Sequence, residues 1–157
     1  MTRKPAVLFV CLGNICRSPL AEAAFHAEAE RLGLDVDVDS AGIGGWHEGE
    51  SPDARAQAVA RRHGVDISHY QARQVRRDDF RRFTHIVALD RENLSALKRL
   101  RPADGTAELS LLLDHVEGRA GQAVSDPWYG PAAAFEKTWV DVTAGAEALA
   151  RKLAALA

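Results

Sequence analysis

Ala6-Val-Leu-Phe-Val-Cys11-Leu-Gly-Asn-Ile-Cys16-Arg17-Ser18-Pro19 is the stretch whose reading decides the fold. Its opening run is apolar and of strand length, the pattern of a strand covered on both faces. Pro19 begins a helical pattern that runs to Leu32, with Leu20, Ala24, Ala27 and Leu32 near one face and Gly33 as its stop. Ser18 and Pro19 read as N-cap and first helical residue. The stretch therefore predicts a strand, a tight loop and a helix N-terminus, with the Cys11 thiol at the mouth of the loop. Such a loop suits an anion, because backbone N–H groups and the positive end of the helix dipole meet there. The same field favours thiolate over thiol at Cys11.

Outward from this stretch, strands and helices alternate. Val36 and Val38 alternate with aspartates, and Ser40-Ala-Gly42 ends a second, half-exposed strand. Ile43 to Pro52 reads as a glycine-rich loop, and Asp53 to His63 as a helix closed by Gly64. His85 to Leu89 is a third, buried strand followed by a helix from Asp90 to Leu100. Glu108 to Leu113 is a fourth strand, Ala123 to Pro131 a loop, and Ala132 to Ala157 a long helix with a break near Gly145. The alternation predicts an α/β domain spanning residues 1–157, a doubly wound parallel sheet flanked by helices; its four strands are expected in the flavodoxin-like order 2-1-3-4. Ligands of such sheets bind outside the carboxyl ends of the strands, where the Cys11 loop lies.

Composition narrows the function classes. The net charge of −2 gives no electrostatic case for nucleic acid or an anionic membrane. Arg73, Arg76, Arg77, Arg81 and Arg82 form a basic stretch, but Asp78 and Asp79 interrupt it, so it reads as a solvated face. No apolar run reaches the length of a membrane span, and the one after the N-terminus is too short for a signal peptide. The only two cysteines, Cys11 and Cys16, share one loop that a disulfide would hardly staple. They read as chemistry in a reducing, cytoplasmic compartment.

The chemistry follows from residue type and spacing. A loop curling its amides inward, with Gly13 easing the turn, can donate to the terminal oxygens of a phosphate monoester. Arg17 adds a planar fork that matches two of those oxygens together. Cys11 then sits as a nucleophile beneath the phosphorus. Neither the dinucleotide glycine pattern nor the lysine of a Walker loop is present. A leaving alkoxide or phenoxide needs a proton, and Asp126 in Asp126-Pro-Trp-Tyr-Gly130 is the candidate acid. Trp46, Trp128 and Tyr129 can wall the pocket around an aromatic substrate. Oxidised Cys11 could be trapped by Cys16 as a reversible disulfide.

These pieces resemble the low-molecular-weight protein tyrosine phosphatase family. The likeness is carried by Val10 to Pro19, Ser40-Ala-Gly42, Trp46, Ser51 to Arg55, His69 to Gln74, Asp90-x-x-Asn93 and Asp126 to Gly130, in the family's order over nearly the full length. The resemblance implies phosphotyrosine hydrolysis through a cysteinyl-phosphate, with Cys11 as nucleophile, Arg17 on the phosphate and Asp126 as general acid and then base. It implies phosphate binding by Leu12, Gly13, Asn14, Ile15, Cys16, Arg17 and Ser18, without metal or organic cofactor. Asn14 matches the residue that holds the loop's shape, with Ser40 and His69 in its network, and Ser18 matches the hydroxyl beside the thiolate. The family supports the protective role of Cys16. The implied partner is a phosphotyrosyl protein, with a bacterial tyrosine kinase as a candidate, and neither nucleic acid nor membrane insertion. The family usually carries Tyr where this chain has Trp128.

Three rivals are weighed by what the chain lacks or keeps. Thioredoxin-coupled arsenate reductases need a cysteine far downstream, and none follows Cys16. Protein-arginine phosphatases carry Thr where this chain has Ile15, whose apolar side chain suits an aromatic ring. A non-catalytic phosphate-binding module has no need of an intact Cys11, Arg17 and Asp126.

Overall fold

A computed structural model describes residues 3–157. Its elements are β1 (Ala6–Cys11), α1 (Arg17–Leu32), β2 (Asp37–Gly42), α2 (Ala54–Arg62), α3 (Asp79–Arg82), β3 (His85–Ala88), α4 (Arg91–Leu100), β4 (Glu108–Leu111) and α5 (Ala132–Leu156). A single 3-10 turn, Leu112–His115, follows β4. The four strands form one parallel sheet in the expected order β2-β1-β3-β4.

The central strand β1 is buried along its whole length because its side chains serve two cores in turn. Val7 and Phe9 face α1, α2 and α5, whereas Ala6, Leu8 and Val10 face α3 and α4. Phe9 packs on Phe25 of α1 with ring centroids 5.5 Å apart. Truncating either ring to Ala would cost about 3–5 kcal/mol. This two-sided packing fixes where β1 ends, and so where Cys11 emerges.

Local expectations fail in four places. Helix α1 starts at Arg17 with Cys16 in the capping position, and no side chain caps it. Ser18 is therefore not the cap; it is wholly buried, with its hydroxyl directed into the core. Ala27 is exposed, and the buried face of α1 runs through Leu20, Ala21, Ala24 and Phe25 instead. The fourth strand stops at Leu111, because Asp114 accepts from the Leu111 N–H and starts the 3-10 turn. Helix α5 is unbroken at Gly145, where an added Cβ would meet Leu112 at 2.4 Å. That glycine answers a close approach rather than a kink.

Candidate active site

The loop after β1 is shaped by Asn14, a residue with φ of 62° in the left-handed region. Three hydrogen bonds hold that conformation. The Arg73 N–H donates to Asn14 Oδ1 at 3.0 Å, so the other end of the amide must be Nδ2. Nδ2 donates to Ser18 Oγ at 2.7 Å and to Ser40 Oγ at 2.9 Å. Asn14 occupies one lone pair of Ser18 Oγ, which leaves the hydroxyl proton to give. The nearest acceptor is Cys11 Sγ at 3.0 Å, closer than the Ala41 carbonyl at 3.5 Å. The Ser18 hydroxyl and the Cys11 sulfur are thus hydrogen-bond partners, and the hydroxyl can donate to the sulfur when it attacks. Ser40 passes its own proton outward to Glu22 Oε1 at 2.6 Å. Burial, partly offset by that Ser40 bond, pushes the Glu22 carboxyl up to about 7.

Among the described residues, the backbone N–H groups of residues 12–17 have no acceptor. They form a donor nest at the uncapped start of α1. Gly42 lets the nest lie against β2: a Cβ there would meet the Gly13 carbonyl carbon at 2.9 Å and the Leu12 oxygen at 3.0 Å.

Arg17 is 3% exposed. Its Nη1 donates to Asp90 Oδ2 and to the Val124 carbonyl, both at 2.8 Å. Both Nη1 hydrogens are then used, which leaves the Nε–Nη2 edge as the two-pronged donor for an anion. Asp90 is held in turn, because its Oδ1 accepts from the Asn93 N–H at the start of α4. Asp126 lies opposite, with Oδ2 3.7 Å from Arg17 Nη2 and Oδ1 accepting from the Trp128 N–H at 3.1 Å.

Cys11, Leu12, Gly13, Ile15, Cys16, Arg17, Asp126, Trp46, Trp128 and Tyr129 line one cavity of about 230 Å³, together with His47. Asn14, Ser18 and Ser40 stand behind its floor. His69, expected beside Asn14, lies outside the network: it occupies the corner of a turn closed by the Tyr70 N–H on Ile67, is exposed, and meets the Tyr70 ring edge-on. The half-buried neighbour facing Glu22 is Tyr70, whose phenol is raised by burial and then by the Glu22 charge. Cys16 is buried, and burial followed by the Asp53 charge keeps it a thiol.

Arg73, expected on a solvated face, is drawn inward. Its guanidinium grips the buried Asp79 at 3.0 and 3.1 Å and Asp39 at 3.1 Å, so that its N–H is fixed against Asn14. Asp90, Arg73 and Glu22 are the supporting residues that reasoning from the sequence missed. Asp90 left one signal, an acidic residue at the carboxyl end of the strand next to β1.

The comparisons agree with this geometry. The family described as "Low molecular weight phosphotyrosine protein phosphatase" matches residues 6–156. A low molecular weight phosphotyrosine protein phosphatase of Schizosaccharomyces pombe is 39% identical over 145 residues, covering 90% of this chain and 92% of that protein. A low molecular weight protein-tyrosine-phosphatase of Streptomyces coelicolor is 48% identical over 136 residues, covering 83% and 82%. The crystal structure of YfkJ from Bacillus subtilis superposes with a TM-score of 0.88 at 40% identity, covering 96% of this chain and 95% of that one. A nucleophile loop, buried arginine and aspartate arranged in this way, on this sheet, place the chain in the low molecular weight phosphotyrosine protein phosphatase family.

Proposed function

We propose that this chain is a protein-tyrosine phosphatase that works through a phosphorylated Cys11. One observation carries the reading: a thiol hydrogen-bonded to Ser18, a buried guanidinium with a free edge and a carboxyl converge on a single cavity floored by unpaired N–H groups. The phosphate seats on the nest and on the Arg17 edge, which stabilise charge on its equatorial oxygens as the transition state forms. Cys11 Sγ attacks phosphorus, the S–P bond forms and the P–O bond to the phenol breaks. Asp126 gives its proton to the departing oxygen. As a carboxylate, Asp126 then takes a proton from water, whose oxygen displaces the thiolate and releases inorganic phosphate.

The substrate is a phosphotyrosyl protein, and a tyrosine kinase must supply it. Trp46, Trp128 and Tyr129 stand at the rim, where their aromatic faces suit a phosphorylated ring better than phosphoserine. Ile15 offers hydrocarbon to that ring and no hydroxyl to a phosphoguanidinium. The reading takes residues 1–157 as one catalytic domain. The two free thiols suit a reducing, cytoplasmic setting, and among the described residues no helix is long and apolar enough to cross a membrane. Under peroxide, Cys11 would become a sulfenic acid, and Cys16 in the same cavity would condense with it, releasing water and leaving a reducible disulfide.

The test is turnover of phosphotyrosine, phosphoserine and phosphoarginine peptides by the wild type and Asp126→Ala. Phosphotyrosine should lead by about a hundredfold, and Asp126→Ala should lose about a hundredfold or more on it. A lead for phosphoarginine would overturn the substrate class.

A further inference from the structure

One short segment touches both halves of the site. The Asp53 N–H donates to the Ile15 carbonyl of the nucleophile loop at 2.8 Å. The Asp53 carboxylate starts α2 and holds Arg55: Oδ1 accepts from the Arg55 N–H at 2.8 Å and from Nε at 3.0 Å, and Oδ2 from Nη2 at 3.2 Å. Burial alone would raise the Asp53 carboxyl, but the Arg55 side chain and backbone outweigh it and hold it below the usual carboxylate value. Arg55 is thus aimed across 73 residues of sequence, and its Nη1 donates to the Trp128 carbonyl at 3.1 Å. Its guanidinium carbon also lies 4.6 Å from the Phe135 ring centre and 5.5 Å from that of Trp128. The same Trp128 donates its N–H to Asp126.

We infer that Arg55 is a positioning residue for proton delivery: tied to the phosphate loop through Asp53, it fixes the Trp128 peptide and with it the reach of the Asp126 carboxyl. The inference rests on the reading of Asp126 as general acid. A helix cap alone needs only Asp53 and the Arg55 N–H. The bond from the guanidinium to Trp128 adds nothing to α2, and it gives the acid loop a second anchor beside the Arg17 bond to Val124. Proton transfer falls steeply with misplacement, so a loop left free to drift should protonate poor leaving groups badly and good ones almost as before.

The experiment measures kcat/KM, which reads the steps through phenol release, for aryl phosphates of graded leaving-group acidity. The enzymes are wild type, Arg55→Met, Arg55→Lys and Asp126→Asn. Arg55→Met keeps the stem over Phe135 and loses the donors. It should lose about tenfold more on phenyl phosphate than on dinitrophenyl phosphate, with inhibition by inorganic phosphate unchanged within about twofold. Arg55→Lys, one donor on a flexible stem, should fall between. A loss uniform across the series, or a weakened hold on inorganic phosphate to match, would make Arg55 a support of the fold and overturn the inference. Should Arg55→Met fail to fold, Arg55→Lys decides: a leaving-group dependence equal to wild type overturns the inference. An Asp126→Asn enzyme with wild-type dependence would instead overturn the assignment of the acid.

Discussion

The phosphate cradle and the rim that closes over it are built on opposite principles. Cys11, Asn14 and Arg17 are each 3% exposed and Ser18 is wholly buried. The Asp126 side chain is 44% exposed and Tyr129 is 97% exposed. Both side-chain polar atoms of Asn14 have partners, and Arg17 is gripped at one end by Asp90 and a backbone carbonyl. The rim has its own Trp128–Asp126 and Gly130–Pro127 bonds, one bond from Arg55 and an Arg17–Asp126 ion pair at 3.7 Å. The difference matches the tasks. Charge building on phosphorus must meet dipoles already in place, so the cradle lies inside the fold. Protons and substrate rings must come and go, so the acid and the aromatics sit on a loop. Two arginines keep the two in register: Arg17 through Val124 and Asp126, and Arg55 through Trp128.

The comparison breaks first at Arg17. Arg17→Lys keeps the charge but loses the fork and cannot serve Asp90, Val124 and a phosphate together. Steady-state kinetics on p-nitrophenyl phosphate should show a loss of roughly a hundredfold to a thousandfold in kcat/KM. A loss under tenfold would mean that the cradle is less rigid than its hydrogen bonds imply.

Glu22 sharpens the comparison, because it ends the bond chain that begins at Cys11. Its folded value of about 7 lies above the ordinary 4.5. The folded state therefore holds a proton that the unfolded chain releases. Stability from this group is full below pH 4.5 and is lost as pH rises through 7. Between pH 5 and pH 8 the wild type should lose roughly 2–3 kcal/mol more than Glu22→Gln, read by urea denaturation of both proteins. Parallel pH profiles would show that Glu22 is ionised in the fold and that burial behind the cradle ends at Ser40.

Tyr129 gives the smallest effect. Tyr129→Ala removes a ring that is almost fully exposed, so the melting temperature should stay within about 2 °C. Turnover of p-nitrophenyl phosphate should change less than about threefold, while KM for a phosphotyrosine peptide rises. A large fall in stability would place the rim with the cradle after all.

The same division explains what could be read from the chain. The cradle was legible because its parts are contiguous: an apolar strand, a loop with Gly13 and Arg17, and a helix start can be recognised in one window of sequence. The parallel, doubly wound sheet followed from the alternation of strands and helices. Orientation was harder to read. A serine before a proline carries the local signature of a cap, and only the buried Asn14 amide turns the Ser18 hydroxyl toward sulfur. His69 was expected in the network from the family resemblance alone, but a turn sends it outward. Arg73 stood in a charged run whose partner, Asp79, is buried three-dimensionally rather than by its neighbours in sequence. Arg55 and Asp90 act on residues 73 positions away, and no local pattern announces a bond of that span.

The central claim is that Cys11 carries the phosphate. Rapid acid quenching of wild type during turnover of a phosphotyrosine peptide, followed by mass spectrometry of the fragment spanning residues 4–17, tests it most directly. The account predicts phosphate on Cys11 in wild type, none in Cys11→Ser, and a loss of at least about a thousandfold in turnover by that variant. Phosphate on any other residue, or undiminished turnover by Cys11→Ser, would contradict it.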